Sequence, residues 1–350
     1  MLLILGAPLK DKRTTSQDVA NLAGVSRTTV SLVLNDVKGA SIPVETRQKV
    51  YDAAKTLGYV PNATAQALAT QRSKAIGLVM TRSPHHISSD TFLPQILGGL
   101  LEVVKQHKFR LLIETISDEH QDQVYLELAR AKHIDGMILL TPRLGDKGIR
   151  KLEEVAIPTV LMGNLSDTNL YTVDVDNHLA AKKATQYLIE LGHKKIACIA
   201  NADSTYSAAQ DRVTGYQDAL LSNGLSPNEN LIRYADFEPK SGYKAMRSLL
   251  ESGEKFSAVF VASDNVAMGA KSALRESNLR IPDDVSMVGF DDIPLSQYSD
   301  PPLTTVRIPA HDLATKACLL LLDLLQGKIP EKRELILDTE LIIRQSCQKL

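Results

Sequence analysis

From Lys74 onward, short apolar runs alternate with amphipathic stretches, and this rhythm restricts the possible folds more than any other feature of the chain. The runs 75–80, 110–115, 136–140, 159–162, 195–200, 231–233, 258–262 and 286–290 read as strands, with helical patterns such as 96–105 between them. Strands that alternate with helices in this way predict parallel sheets covered by helices, because a parallel pair needs a long crossover. There are too many such units for one compact sheet, so two α/β lobes are expected, dividing near residue 175. With 350 residues, 44% of them apolar, the chain can bury cores of that size. No repeat of solenoid period is evident.

The first 73 residues follow a different pattern. Thr15 and Asp18 form a box-like helix start, Val19, Leu22 and Ala23 give an apolar stripe, and Gly24 stops the helix. Ser26 can cap a second helix whose Val30, Val33 and Leu34 point inward together, leaving Arg27, Thr28 and Ser31 outward. A third helix over 44–57 buries Val50, Ala54 and Leu57 before Gly58. Two short helices joined by a glycine turn, the second with a polar outer face, describe a helix-turn-helix whose second helix fits a DNA major groove. Residues 62–70 have helix-forming alanines but only Leu68 as an apolar anchor, which predicts a linker that orders on binding.

Charge supports the same division. The whole chain has a net charge of -1, yet residues 10–74 contain ten basic and five acidic side chains. A basic head on an acidic body is the distribution expected of a local nucleic-acid site, although a solvated basic surface would also produce it. Several classes are disfavoured. No run reaches the 18 to 20 apolar residues of a membrane span, and the N-terminus lacks the basic start and long apolar stretch of a signal peptide, so a cytoplasmic location is expected. Cys198, Cys318 and Cys347 are odd in number and have no metal-ligand spacing, which predicts neither disulfide nor zinc. Phosphate-loop, dinucleotide, metalloprotease and serine-hydrolase motifs are all missing, so no enzyme, cofactor or metal is expected. His85-His86 and Asp291-Asp292 look like metal or acid–base pairs only out of context, and since neighbouring residues on a strand face opposite ways, the two carboxylates need not share a site.

Read as one string, residues 15–35 give T-S-Q-D-V-A-x-L-A-G-V-S-R-T-T-V-S-L-V-L-N, followed by T-R-Q-K-V at 46–50, L-G-Y-V-P-N at 57–62 and A-x-A-L-A at 65–69. This resembles the DNA-binding head and hinge of the LacI/GalR family of bacterial transcriptional regulators. The likeness continues through Asp135-Gly136, Leu191-Gly192-His193, Arg212-x-x-Gly215-Tyr216, Ser263-Asp264, 288–292 and 302–306. It implies a head over 14–60, a hinge over 61–73 and a two-lobed periplasmic-binding-protein-like body over 74–350. The body's lobes would be about 74–175 with 307–336, and about 176–306 with 337–350. Residues 1–13 fall outside the likeness, as an extension or a misassigned start.

The resemblance also implies a homodimer on a pseudo-palindromic operator, a small-molecule effector between the lobes, and no membrane partner. Ser26, Arg27, Thr28 and Ser31 are the candidates for groove contact, with Arg27 suited to bidentate bonding of guanine. By similarity, Leu68 would wedge between base steps in the minor groove, with Asn62 and Ala65 in support. Arg212 and Asp291 match effector-bonding positions, Phe237 matches a stacking aromatic, and Thr81, Phe92, Leu93, Tyr206 and Ser263 are further wall candidates. Asp264 would cap a helix beginning at Asn265. A sugar or sugar phosphate is the first expectation for the effector and a purine or nucleoside the second, with release or retention of DNA left open. The alternatives are an exported solute-binding protein or an enzyme on the same body.

Overall fold

The computed structural model describes residues 14–35, 39–62, 67, 70, 72–116, 121–155 and 157–350. The chain divides into two compact units, Met1–Ser73 and Lys74–Leu350.

In the first unit, helices α1 (Ser16–Ala23), α2 (Arg27–Leu34) and α3 (Val44–Thr56) surround a small core of Val19, Ala20, Val30, Val33, Val50, Ala53 and Ala54. Local chemistry sets the ends of α1 and α2. The Thr15 amide donates to Asp18 Oδ2 at 2.8 Å, and the Asp18 amide donates back to Thr15 Oγ1 at 3.3 Å, closing the capping box. Gly24 takes the left-handed conformation that ends α1, at φ 66°. Ser26 Oγ accepts from the Thr29 amide at 3.0 Å and starts α2. One expected core residue is misplaced: Leu22 is 54% exposed. The buried side of α1 is centred on Val19, Ala20 and Ala23, and at 100° per residue Leu22 points well away from it. Leu57 packs only part-buried against this core, and its carbonyl accepts from Thr14 Oγ1 at 3.1 Å.

The second unit contains two six-stranded sheets. The first sheet consists of β1 (Ala75–Met80), β2 (Arg110–Thr115), β3 (Gly136–Leu140), β4 (Thr159–Met162), β5 (Tyr171–Val175) and β11 (Glu334–Leu337), in the order β11-β5-β4-β3-β1-β2 and parallel throughout. The second sheet consists of β6 (Ile196–Ala200), β7 (Ile232–Tyr234), β8 (Ala258–Val261), β9 (Ser286–Asp291), β10 (Thr304–Arg307) and β12 (Glu340–Ile342), in the order β12-β10-β9-β8-β6-β7. Only its β10–β12 pair is antiparallel. The chain therefore passes between sheets after β5, after β10 and after β11. Eight of these strands coincide with expected runs to within a few residues, while β5, β10, β11 and β12 lie outside the expected runs.

Helices α4 (Pro84–Ser89), α5 (Leu93–Gln106), α6 (Gln121–Arg130), α7 (Lys147–Glu154) and α12 (Ala310–Leu325) belong to the first sheet. Those of the second are α8 (Asn177–Glu190), α9 (Ser207–Ser222), α10 (Pro239–Glu251) and α11 (Asp264–Glu276). Central strands such as β3 and β8 are buried along their whole length, as expected of strands covered on both faces. Helices α10 and α11 touch backbone to backbone: a Cβ at Gly269 would lie 1.7 Å from the Pro239 carbonyl oxygen, and one at Gly242 would lie 2.0 Å from that of Val266. Close approach of this kind brings the N-terminus of α11, with Asp264 and Asn265, against the residues that follow β7.

Candidate functional site

In the first unit, Ser26, Arg27, Thr28 and Ser31 are all exposed along the N-terminal part of α2. Val30 and Val33 anchor the opposite side of that helix, so the polar face is held in one orientation. Arg27 Nε donates to Ser16 Oγ at 3.1 Å, and Asn35 donates to Ser31 Oγ at 3.1 Å. Asn62 is exposed as well, whereas Ala65 and Leu68 lie outside the described residues.

In the second unit, a cavity of about 860 Å³, counted with the open space at its mouth, lies between the two sheets. Residues at or just beyond the C-terminal ends of strands contribute much of its wall: Arg82 after β1, Thr141 after β3, Asp174 on β5, Asn201 after β6, Ser263 after β8 and Asp291 on β9. Of the expected effector contacts, Arg212, Asp291, Phe237, Phe92, Tyr206 and Ser263 all line it. Thr81 and Leu93 do not. The Thr81 hydroxyl turns away to donate to the Thr141 carbonyl at 2.6 Å, and Leu93 is buried against the first sheet with its amide on Asp90 Oδ1 at 3.0 Å.

Arg212 is the buried centre of the cavity floor. Its Nη1 donates to the Ala262 carbonyl at 2.6 Å and its Nε to Asn177 Oδ1 at 2.9 Å, while the guanidinium lies 3.9 Å from the Phe290 ring centroid. Asp291 Oδ1 is 3.8 Å away. Burial lowers the guanidinium pKa, and the charges of Asp291 and Asp174 oppose that shift. Burial raises the Asp291 pKa, and Arg212 opposes it. Asp292, the next residue, has a different partner set: its carboxylate accepts from Arg307 Nε at 2.8 Å and from Arg344 Nη2 at 2.6 Å. The two carboxylates therefore do not share a site.

The aromatic wall is built across both lobes. Tyr206 meets Phe237 edge-on with centroids 4.9 Å apart, and its hydroxyl donates to the Thr81 carbonyl at 2.8 Å. The Arg82 guanidinium lies 3.9 Å from the Phe237 centroid and is held there by Asp90 at 2.6 Å. One face of the expected stacking ring is thus occupied by the protein itself. Asn265 spans the lobes too, donating to the Ser89 carbonyl at 2.9 Å and the Phe237 carbonyl at 2.8 Å. Thr141, Phe237 and Asp291 adopt φ of 57°, 60° and 114°, a region that costs non-glycine residues energy and that clusters at ligand sites. Asn201 Oδ1 is buried on the wall with no hydrogen-bond partner, so it offers a ready acceptor.

Asp264 is structural, but it is not a cap. It is the first residue of α11, whose N-cap is Ser263, and its buried carboxylate accepts from Ser296 Oγ at 2.6 Å, Thr305 Oγ1 at 2.6 Å and the Ile293 amide at 3.1 Å. A Cβ at Gly289 would lie 2.1 Å from Asp264 Oδ1, which explains why glycine occupies that point of β9. Sequence reasoning missed Arg82, Asp90, Asp174, Asn177 and Asn201 as wall residues. For all but Asp90, which ends α4, the available signal was their position at or just beyond strand ends, which becomes informative only once the strands are ordered into sheets.

Asp174 provides a measurable electrostatic prediction. The Val175 amide donates to its Oδ1 at 2.8 Å and Asn177 reaches both oxygens at 3.3 Å. Burial nevertheless raises its carboxyl to about 7, against the Val175 hydrogen bond and the Arg212 charge. An unfolded Asp titrates near ~4, so between there and the folded value the native state retains a proton that the unfolded chain has lost. The associated stability is complete below that window and falls as pH rises through it. Asp174→Asn is therefore expected to gain in Tm over the parent at about pH 8 and to show no gain at about pH 4. Equal differences at both pH values would count against the raised carboxyl.

Comparisons with known proteins agree with both units. Residues 15–62 match the family model for bacterial regulatory proteins, lacI family, and residues 185–347 match that for a periplasmic binding protein-like domain. The HTH-type transcriptional regulator CelR of Thermobifida fusca is 35% identical over 338 residues, covering 96% of this chain and 98% of that protein. A solved CelR–cellobiose complex superposes with TM-score 0.73 at 34% identity, covering 95% of this chain and 100% of that one. The lac repressor dimer, solved on its operator with the anti-inducer ONPF, gives TM-score 0.82 at 30% identity, covering 96% of this chain and 100% of that one. These relatives are regulators of transcription and not enzymes. Among the described residues, no helix is long and apolar enough to cross a membrane.

Proposed function

Because the chain belongs to the LacI family of bacterial transcriptional regulators, we propose that it represses transcription as a homodimer on a pseudo-palindromic operator, under control of a small polar metabolite held between its lobes. In this reading Ser26, Arg27, Thr28 and Ser31 enter the major groove, Asn62, Ala65 and Leu68 act at the minor groove, and Arg212, Asp291, Asn201 and Asp174 bond the effector. The observation that carries it is the inter-lobe cavity with a buried Arg212–Asp291 pair, in a chain whose α2 turns a rigid polar face to solvent.

A sugar or sugar phosphate remains the first candidate for the effector. Buried guanidinium, carboxylate and amide groups can each serve adjacent hydroxyls, and the CelR relative was solved with cellobiose. A purine or nucleoside is second, supported by the Phe237–Tyr206 wall. A thermal-shift screen of both classes identifies the ligand, since one at about 100 times its Kd stabilises by about 2.7 kcal/mol. Its affinity is then measured with and without saturating operator DNA. A difference of about 5- to 150-fold is expected, and its sign separates an inducer from a corepressor. Equal affinities would remove allosteric control from the proposal.

A further inference from the structure

Outside the cavity wall, three side chains that the proposed function does not use converge at the junction of the lobes. His85 and His86 come from α4, just after β1, and Asp236 follows β7 of the other sheet. One ligand atom from each lies within 4.8 Å of the others, and the two imidazole centroids are 4.0 Å apart. His86 is the telling member. It is only 6% exposed, yet neither of its ring nitrogens has a hydrogen-bond partner. Its Nε2 lies 3.0 Å from Asp236 Oδ2, but the ring meets the carboxylate out of hydrogen-bonding alignment. A buried imidazole with both nitrogens unsatisfied is costly unless something else binds it.

We infer that His85, His86 and Asp236 form a binding site for a borderline divalent cation of the zinc class, which bridges the two lobes beside the cavity mouth. The donor set selects that class: two imidazoles and one carboxylate suit zinc, cobalt or nickel, whereas calcium and magnesium require oxygen donors. Zinc takes such ligands at about 2.0–2.2 Å, which sets tetrahedral ligand–ligand edges near ~3.4 Å. The His86–Asp236 separation is already that short, and His85, being exposed, is free to swing the remaining distance. Asp236 is well placed to be approached, with its carboxylate 57% exposed while its amide is fixed by Ser241 Oγ at 2.9 Å. The fourth position is left for water. Since the ligands come from both lobes, the ion binds the closed arrangement better than an open one and must favour closure.

The consequence is local and does not depend on which effector occupies the cavity or on whether the chain binds DNA. The test titrates ZnCl2 into the tag-free full chain by calorimetry in the presence of a weak competing chelator. One high-affinity site per chain is expected, with a rise in the Tm of the body. His85→Gln and Asp236→Asn alter exposed side chains and should fold normally, and each should weaken zinc binding by at least about tenfold, the scale on which even outer-shell changes act. Cobalt bound in place of zinc should show the strong visible absorption of a tetrahedral site, lost in either variant. Zinc that fails to compete with the chelator, or that binds equally well to both variants, overturns the site. Zinc binding that depends on His85 but not on Asp236 overturns the bridge between lobes.

Discussion

Raising the salt from about 50 to about 200 mM should weaken operator binding by about 10³- to 10⁵-fold, if the two heads of a dimer together neutralise about six to ten phosphates. The magnitude follows from where the charge lies. A chain with net charge -1 has no general affinity for a polyanion, but residues 10–74 concentrate ten basic side chains against five acidic ones. Each cation set against a phosphate releases condensed counterions, so the logarithm of affinity falls in proportion to the logarithm of salt. Arg27→Ala separates the two kinds of contact. If Arg27 reads a guanine edge, its loss costs about 1–3 kcal/mol at the preferred sequence and relaxes selectivity there, while the salt slope of the remaining phosphate contacts stays. Fluorescence anisotropy of a labelled operator at several salt concentrations measures both quantities. A slope near zero would refute the DNA-binding assignment.

The largest stability loss is expected at Asp264. Replacing it with alanine should destabilise the body by about 3–5 kcal/mol, because three buried donors lose their acceptor at once. Burial raises the carboxyl's pKa, and the nearby Asp291 charge adds to that, while Ser296, Thr305 and Ile293 oppose both. The charge is costly to hold but still better than leaving its partners unpaired. Asp264→Asn should lose less, since the hydroxyls of Ser296 and Thr305 can reverse their roles and only the Ile293 amide is fixed as a donor. Gly289→Ala is the complementary test, placing a methyl group where Asp264 Oδ1 now lies. The double variant Asp264→Ala with Gly289→Ala should be less damaged than the sum of the singles, because the added methyl fills part of the space left by the carboxylate. Calorimetric scans of the four proteins check this cycle, and strict additivity would mean that the two residues do not compete for one volume.

The head was legible because its determinants are local. Thr15 with Asp18, Gly24 and Ser26 each act within four residues, so their caps can be read directly from the string. Leu22 was misplaced because an eight-residue helix has too few apolar positions to fix which side is buried. Two of the strands missed in the body, β11 and β12, have a different cause. β11 is a largely exposed edge strand and β12 has only three residues, and each pairs with a strand far away in sequence. Nothing within such a segment states its partner. Arg212 and Asp291 were found through family-like strings, whereas Asp174, Arg82 and Asn201 are single polar residues that only strand order brings to one wall. Likewise, no spacing rule connects His85-His86 to Asp236, about 150 residues later.

The guanidinium of Arg82, resting on Phe237, makes that wall a place of exchange. Any flat ligand that stacks there must first displace a cation already bound to the ring, a contact worth about 0.5–2 kcal/mol. The net reward for aromaticity at this wall is therefore small, and a planar heterocycle has little advantage over a puckered polyol of the same size. Selectivity passes to groups whose hydrogen-bonding capacity is unspent, with Asn201 foremost. A displaced Arg82 would retain its charge and its tether to Asp90, and would meet the incoming molecule from the side. The same arginine that shields the aromatic ring could thus become a donor to the oxygens of a ligand bound there, an internal plug turned into a contact.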